Sequence, residues 1–223
     1  MKSLNLIFFI IFFSSKSLCG QKVKLEASNL VANKVYMSLE RFQDKEVVKV
    51  IKDSTVKEAD EPTFVRIKDI DFKDGIIEVN VLSRLLPNAS PSDRGFIGIA
   101  FRINENNSKF ECIYIRPTNG RAQEQVRRNH SIQYFSFPDF KFPRLRKETP
   151  EMYESYADMG LNEWIKIQIV VNGKQAKLFL NDSKQPSLIV NDLKHGEVSA
   201  GALGLFVDVG TEGYFRDLKI LKQ

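Results

Sequence analysis

Polar side chains interrupt two apolar runs in the middle of the chain, and their types suit the recognition of a polar ligand. Arg102 lies in the first run, and Tyr114 lies in the second. Arg116 and Asn119 follow directly. Guanidinium and amide groups form paired hydrogen bonds with carboxylates and hydroxyls, and a Tyr ring offers a stacking surface with a polar tip. We predict that these four residues bind a ligand; solvated strand residues or a structural ion pair are the alternative.

The spacing of these residues predicts which side of a sheet they occupy. Alternate residues of a strand share a face, so Arg102 is expected beside Ala100 and Gly98, whose small side chains would leave space above the sheet. We therefore expect Arg102, Arg116 and His130 to point into one cleft on a concave sheet.

A basic segment from Arg116 to Lys147 contains eight Lys or Arg residues, and aromatic residues are interleaved with them. We predict that His130 and Gln133 of this segment also bind the ligand. Such a segment fits an acidic polysaccharide, and its chemistry would also suit single-stranded nucleic acid. An N-terminal leader argues against nucleic acid, and a charged surface loop is the structural alternative.

Three residues are candidates for catalysis, namely His130, Tyr134 and Glu154. The imidazole of His130 titrates near neutral pH, which suits proton transfer, although a single His is more often structural. A glycosidase needs two carboxyl groups about 5–9.5 Å apart, and spacing in the sequence does not supply that distance for Glu154. The catalytic residues, if there are any, stay unknown at this point. No cofactor and no metal site are expected, because no cluster of carboxylates is legible.

Residues 1–20 are expected to be a signal peptide, with Lys2 before an apolar run and small residues after it. We therefore predict a secreted or periplasmic protein with no transmembrane segment. Acylation at Cys19 is the less favoured alternative, because Leu18 is large for a lipoprotein signal. Without the leader Cys112 is the single cysteine, and a buried thiol is expected. The net charge of +5 is modest and gives little reason to expect nucleic acid.

Apolar residues alternate with polar ones from Val23 onward, which indicates β-strands rather than helices. Asn172-Gly173 predicts a type I′ turn between two strands. About a dozen short strands are expected, with the clearest at Val35–Phe42, Ile76–Leu82, Phe96–Ile103, Phe110–Ile115 and Trp164–Val171. We predict an all-β fold, a two-sheet antiparallel β-sandwich of the jelly-roll type, formed as a single domain by residues 21–223.

The chain resembles the concanavalin A-like lectin/glucanase superfamily, and within it secreted bacterial laminin G-like and 3-keto-disaccharide hydrolase domains. The resemblance covers roughly residues 60–223. The segments that carry it are Asp74-Gly-Ile-Ile-Glu-Val79, Gly98-Ile-Ala-Phe-Arg102, Tyr114-Ile-Arg-Pro-Thr-Asn119, Tyr153-Glu154, Glu163-Trp-Ile-Lys-Ile167 and Gly213-Tyr-Phe-Arg-Asp-Leu218. The paired-carboxylate strand of laminarinase-type glucanases is absent from the sequence. The Gln-Ile-His order of alginate-lyase-type jelly rolls is absent too.

Three functions stay open at the level of sequence. The first is a secreted domain that binds a glycan, neutral or acidic, on its concave sheet. The resemblance implies the second, a glycoside hydrolase or polysaccharide lyase of the same fold. The third is a cell-surface interaction module without a sugar site. Fold alone does not decide among them.

Overall fold

The computed structural model describes residues 20–197 and 200–222. The signal peptide expected at 1–20 therefore lies, except for Gly20, outside the described residues. The strands are β1 (Gln21–Lys22), β2 (Leu30–Asn33), β3 (Val35–Phe42), β4 (Lys45–Lys52), β5 (Phe64–Phe72), β6 (Gly75–Leu85), β7 (Ile97–Ile103), β8 (Phe110–Ile115), β9 (Ile132–Phe137), β10 (Glu154–Ser155), β11 (Ile165–Asn172), β12 (Gln175–Leu180), β13 (Leu188–Val190), β14 (Gly201–Val207) and β15 (Thr211–Lys222). The helices are a 3-10 helix (Ala27–Asn29), α1 (Pro117–Gly120), α2 (Gln125–Asn129) and α3 (Phe142–Glu148).

The strands form two antiparallel sheets, which confirms the predicted β-sandwich. The first sheet has the order β13-β12-β11-β6-β15-β4-β3, with β1 also paired to β15, and the second has the order β10-β9-β8-β7-β14-β5-β2. The sheets stack closely at Gly213 of β15. A Cβ atom there would lie 2.6 Å from Val207 and 3.0 Å from Ile97 of the second sheet, so the site accepts no larger side chain.

The hydrophobic core explains the alternating pattern of the sequence. Every second residue is buried in β11 and in β6 from Gly75 to Ser83, and Ile167 opposes Val79 as Ile169 opposes Ile77. The strands predicted at Val35–Phe42 and Phe110–Ile115 are confirmed with the same bounds. The β11–β12 turn differs from the prediction. Asn172 pairs with Gln175, so Gly173 and Lys174 form the turn, and Gly173 alone of these two has a positive φ, 56°. That pattern is typical of type II′.

The second sheet also buries its outer face. Tyr114, Phe135 and Phe206 form one aromatic cluster there, with ring centroids 5.5 to 5.8 Å apart. Asp60, from the connection between β4 and β5, is fully buried, and its charge acts on Tyr114 and Cys112 of this face. The connection from β9 to β10, which contains α3, bonds to Asp60. These two connections therefore lie over the outer face, which is not an open groove.

No helix in the described part of the chain is long and apolar enough to cross a membrane. The prediction of one domain over residues 21–223 stays a prediction.

Candidate functional site

Arg116 lies directly after β8 and is buried, with 5% of its surface exposed. Its Nη1 donates to Oε1 of Glu154 at 3.0 Å and to the carbonyl of His130 at 3.1 Å. Its Nη2 donates to the hydroxyl of Tyr114 at 2.9 Å and to the amide oxygen of Gln133 at 3.0 Å. Tyr114 opposes Gln133 across β8 and β9, so the strand register brings two of these acceptors together. Both terminal nitrogens are thus occupied by the protein itself.

Glu154 is the acidic centre of the cluster. It begins β10 and opposes Gln133 of β9. Its Oε2 accepts a hydrogen bond from Nε of Arg146 at 2.9 Å, and a second, short bond joins Arg146 to Oε1. Burial alone would raise the pKa of Glu154, but the bonds from Arg146 and the positive charges of Arg116 and Arg146 outweigh it and lower the pKa. Glu154 is therefore a carboxylate at neutral pH.

His130 follows α2 and borders the same carboxylate. Its Nδ1 lies 3.0 Å from Oε1 of Glu154, but the angle is not that of a hydrogen bond, and Nδ1 is buried without a partner. Burial lowers the pKa of His130, and the charges of Arg146 and Arg116 lower it further against the opposing effect of Glu154. The imidazole is consequently neutral at pH 7. Its side chain is 19% exposed, so one edge reaches solvent.

A pocket of about 180 Å³ opens at this point. Its lining residues are Asn129, His130, Glu151, Glu154, Ser155 and Tyr156. Tyr156 is 40% exposed, and Arg128 donates to its hydroxyl at 2.6 Å. The pocket therefore joins an exposed aromatic ring, a neutral imidazole and a carboxylate held by two arginines. Such a set can stack on a ligand, exchange hydrogen bonds with it and accept a proton from it.

The structure brings together five of the six residues predicted to bind a ligand. Of these five, His130 alone lines the pocket. Asn119 is buried and donates to the carbonyl of His130 at 3.0 Å. Tyr114, Gln133 and Arg116 bond to one another behind the pocket. These four residues support the pocket from inside the protein.

Arg102, the sixth residue, lies elsewhere, which corrects the expectation of one shared cleft. Its φ is 54°, and the register of β7 with β14 shifts between Ala202 and Gly204. This β-bulge breaks the alternation on which the expectation rested. Ile97 opposes Ile115, the residue before Arg116. Arg102 is five residues further along β7, or about 17 Å away.

The guanidinium of Arg102 is fully buried among the turns at that end of the sandwich. It donates to the carbonyls of Lys73, Gly173 and Gly196 at 2.7 to 2.9 Å and to Asp74 at 3.0 Å. Gly173 and Asp74 border strands of the first sheet. The contacts of Arg102 are therefore structural.

Tyr134, a candidate for catalysis, also lies away from the pocket. It opposes Ile113, whereas Gln133 opposes Tyr114, so it occupies the opposite face of β9, which is the face packed between the sheets. Its hydroxyl donates to Glu111 at 2.7 Å and accepts the backbone N–H of Lys194 at 2.9 Å. Burial, with the charge of Glu111, raises the pKa of Tyr134 well above its usual value. It is a buried, neutral core residue.

Sequence reasoning missed Tyr156, Glu151 and Arg146 as parts of the site. Tyr156 directly follows β10, so an aromatic residue two positions after Glu154 was the available signal. Glu151 has a φ of 66°, and no local sequence pattern predicts this backbone conformation. Arg146 belongs to the basic segment, but its pairing with Glu154 depends on the fold.

A larger cleft of about 870 Å³ lies on the first sheet, between the segment 22–26 and the β3–β4 hairpin. Acidic and basic side chains line it in equal numbers, and none of the residues predicted for the site is among them. We place the candidate site at the smaller pocket because the buried charge network converges there. Within residues 20–197 and 200–222, no group of three or more His, Cys, Asp or Glu residues is arranged to hold a metal ion.

The chain matches one protein family over most of its length. The profile of the 3-keto-disaccharide hydrolase family, described as the 3-keto-alpha-glucoside-1,2-lyase-like domain, matches residues 26–221. The chain belongs to this family. Its concanavalin A-like fold is the one that the sequence resemblance implied. A search of curated proteins found no match.

Solved structures share the fold of this chain at low sequence identity. The carbohydrate-binding module CBM66 from Bacillus subtilis is 13% identical, with a TM-score of 0.51 and coverage of 84% of this chain and 94% of that one. A putative glycosyl hydrolase from Parabacteroides distasonis is 12% identical, with a TM-score of 0.50 and coverage of 91% and 100%. A Bacillus subtilis protein of unknown function with a galectin-like fold is 9% identical, with a TM-score of 0.51 and coverage of 88% and 91%. At these identities the likeness shows the fold alone.

Proposed function

We propose that this domain binds a sugar in the pocket beside His130. The observation that carries the proposal is the exposed ring of Tyr156 at the rim of a pocket whose floor is the carboxylate of Glu154, held by Arg116 and Arg146. Sugars are recognised by aromatic stacking combined with planar hydrogen-bonding groups, and the pocket supplies both. Membership of a family described by a glucoside agrees with this ligand class. A secreted or periplasmic location remains our prediction.

Glu151 and Glu154 are the charged residues that line the pocket, whereas two arginines beside it could recognise an acidic sugar. Arg128 lies 4.9 Å from the ring centroid of Tyr156, and Arg146 is 40% exposed beside Glu154. Guanidinium groups at these positions can pair with a carboxylate or sulfate on the sugar. Affinity for such a sugar would fall as salt is added, whereas affinity for a neutral sugar would not.

The test is Tyr156→Ala, measured by calorimetric titration with glycans first selected on an array of neutral and acidic sugars. We expect affinity to fall roughly tenfold, because the stacking surface is lost. Tyr36→Ala is the matched control, since Tyr36 is 60% exposed on the edge strand of the other sheet. Equal affinity of the two variants would contradict the proposal. Failure of every array sugar to bind would favour an interaction module instead.

A lyase is the second candidate function, and the pairing of His130 with Glu154 favours it. In a 3-keto-glucoside the hydrogen on C2 is acidic because it is next to the C3 carbonyl. A neutral His130 could accept that proton, while the electrons of the C2–H bond form a C1=C2 double bond and the bond from C1 to the glycosidic oxygen breaks. The leaving oxygen then takes a proton. Glu154 would stabilise the imidazolium that forms, as the third member of a catalytic triad does.

The lyase is tested with a 3-keto-α-glucoside and measurement of the released aglycone. We expect His130→Gln to lose at least about a hundredfold in kcat/KM, the usual contribution of a general base. His195→Gln is the matched control, because His195 is the other histidine and its ring bonds to the carbonyl of Phe137. Only the neutral imidazole is a base, so kcat/KM should fall on acidification, and the lowered pKa of His130 places that fall below pH 6.5. Release that is unchanged in His130→Gln would exclude this role.

A further inference from the structure

Asp60 is a fully buried carboxylate in the connection between β4 and β5. Its Oδ2 accepts the backbone N–H of Phe142, the first residue of α3, at 2.7 Å. Its Oδ1 is buried with no hydrogen-bond partner among the described residues. Its own backbone N–H donates to Oδ2 of Asp208 at 2.9 Å. None of these atoms lines the proposed sugar pocket. Asp60 can therefore influence the pocket only through the residues to which it bonds.

Asp60 bonds to α3, and α3 in turn contacts the pocket residue Glu154. Leu145 of α3 is buried, and Arg146 of the same helix binds both oxygens of Glu154. The ring of Phe142 lies between two cations, 5.9 Å from the guanidinium carbon of Arg116 and 5.3 Å from that of Arg146. A continuous chain of contacts therefore runs from Asp60 through α3 to Glu154.

We propose that Asp60 is a positioning residue of the sugar pocket, acting through α3 and Arg146 on the carboxylate of Glu154. The inference rests on the proposed function, since it concerns the same pocket. Asp60 itself does not line that pocket.

The charged and titratable groups around Asp60 determine the pH at which its carboxyl group loses its proton. They are Asp208 and its partner Lys52, Tyr114, Cys112 and Arg116 of the second sheet, and the pair formed by Glu61 and Lys141. Burial, together with the charge of Asp208, raises the pKa of Asp60 to about 7, against the opposing effects of Phe142 and Arg116. Above pH 7 the carboxylate is charged, and the cost of burying this charge beside Asp208 favours states in which α3 opens and water reaches Asp60. Below pH 7 it is protonated and neutral, so α3 is held more firmly in its packed position.

The first measurement is backbone hydrogen exchange in residues 142–149 of the wild-type chain without sugar. After correction for intrinsic rates, we expect these amides to exchange about fivefold faster at pH 8 than at pH 6, the lower end of typical coupling effects. Asp60→Asn removes the titration, so its exchange should be equal at the two pH values. Asp53→Asn is the matched control, because Asp53 is a half-buried aspartate in the same connection whose carboxylate accepts hydrogen bonds from Thr55.

The second measurement is sugar affinity of the same proteins at pH 6 and pH 8. Wild-type affinity should be about fivefold lower at pH 8 than at pH 6, and Asp60→Asn should lose this dependence. An unchanged exchange rate in the wild-type chain between pH 6 and pH 8 would overturn the inference, and this result needs no variant to fold. Exchange that changes as expected in a protein that binds no sugar at either pH would instead contradict the proposed function.

Discussion

Arg116 shows how one residue can look like a ligand-binding group and act as a support. Two terminal nitrogens serve four acceptors, and the side chain is only 6% exposed. A buried cation of this kind is costly to remove, because its partner Glu154 stays behind with part of its charge uncompensated. In the proposed sugar site, Arg116 would therefore act by fixing Glu154 and His130.

We expect Arg116→Met to lower the free energy of unfolding by about 3 kcal/mol, measured by urea denaturation. Arg116→Lys should recover little of this loss, because a single ammonium group cannot span the four acceptors of the planar guanidinium. Arg121→Met is the matched control. Arg121 also binds two carboxylates, Asp158 and Glu163, but its side chain is 56% exposed, so the loss should stay below about 1 kcal/mol. Equal losses in the two Met variants would contradict the structural role of Arg116.

Strand register explains part of the cluster that the sequence predicts. Tyr114, Arg116 and Gln133 come together because β8 and β9 are adjacent antiparallel strands. Asp60 and Asp208 are 148 positions apart, and their contact joins the connection before β5 to the end of β14. No local pattern carries that information, so a buried acidic pair of this kind emerges only from the folded structure.

At the scale of elements, the pocket depends on pieces too short to be stable alone. α3 has seven residues and β10 has two, and isolated helices of this length do not persist in water. Their positions are fixed by tertiary contacts, which include Leu145 in the core and the pairing of Glu154 with Gln133. Such elements are the parts of a domain that respond most easily to a change in one contact.

The short length of these elements also explains why they could not be predicted from the sequence. The long strands are legible because each shows several cycles of alternation, as in β6 and β11. α1, α2 and α3 have four to seven residues, too few for a 3.6-residue pattern to appear. They lie, with β9, in the basic segment that sequence reasoning treated as one loop. The pocket takes Asn129 and His130 from that segment and its other lining residues from 151–156, where β10 has only two residues. The fold could therefore be predicted much better than the site.

At the scale of the whole molecule, Arg116 and Arg102 are buried toward different ends of the sandwich, and each stabilises its own end. Arg116 supports the pocket end, whereas Arg102 joins β7 of the second sheet to turns beside the first sheet. About 17 Å of strand separates the two residues, and they share no hydrogen-bond partner. Effects of substitutions at separated sites without shared partners usually add. The far end should therefore influence stability without influencing the pocket.

We expect Arg102→Met to lower the free energy of unfolding by about 3 kcal/mol while the folded protein keeps wild-type sugar affinity. The loss follows because three carbonyls and the carboxylate of Asp74 would lose their buried donor. Urea denaturation measures the first quantity, and calorimetric titration below the unfolding transition measures the second. Arg66→Met is the control, since Arg66 is only partly buried and bonds to the neighbouring turn at Asn104 and Asn107, so its loss should be smaller. A fall in sugar affinity in Arg102→Met would show that the two ends are coupled and would return Arg102 to the binding site.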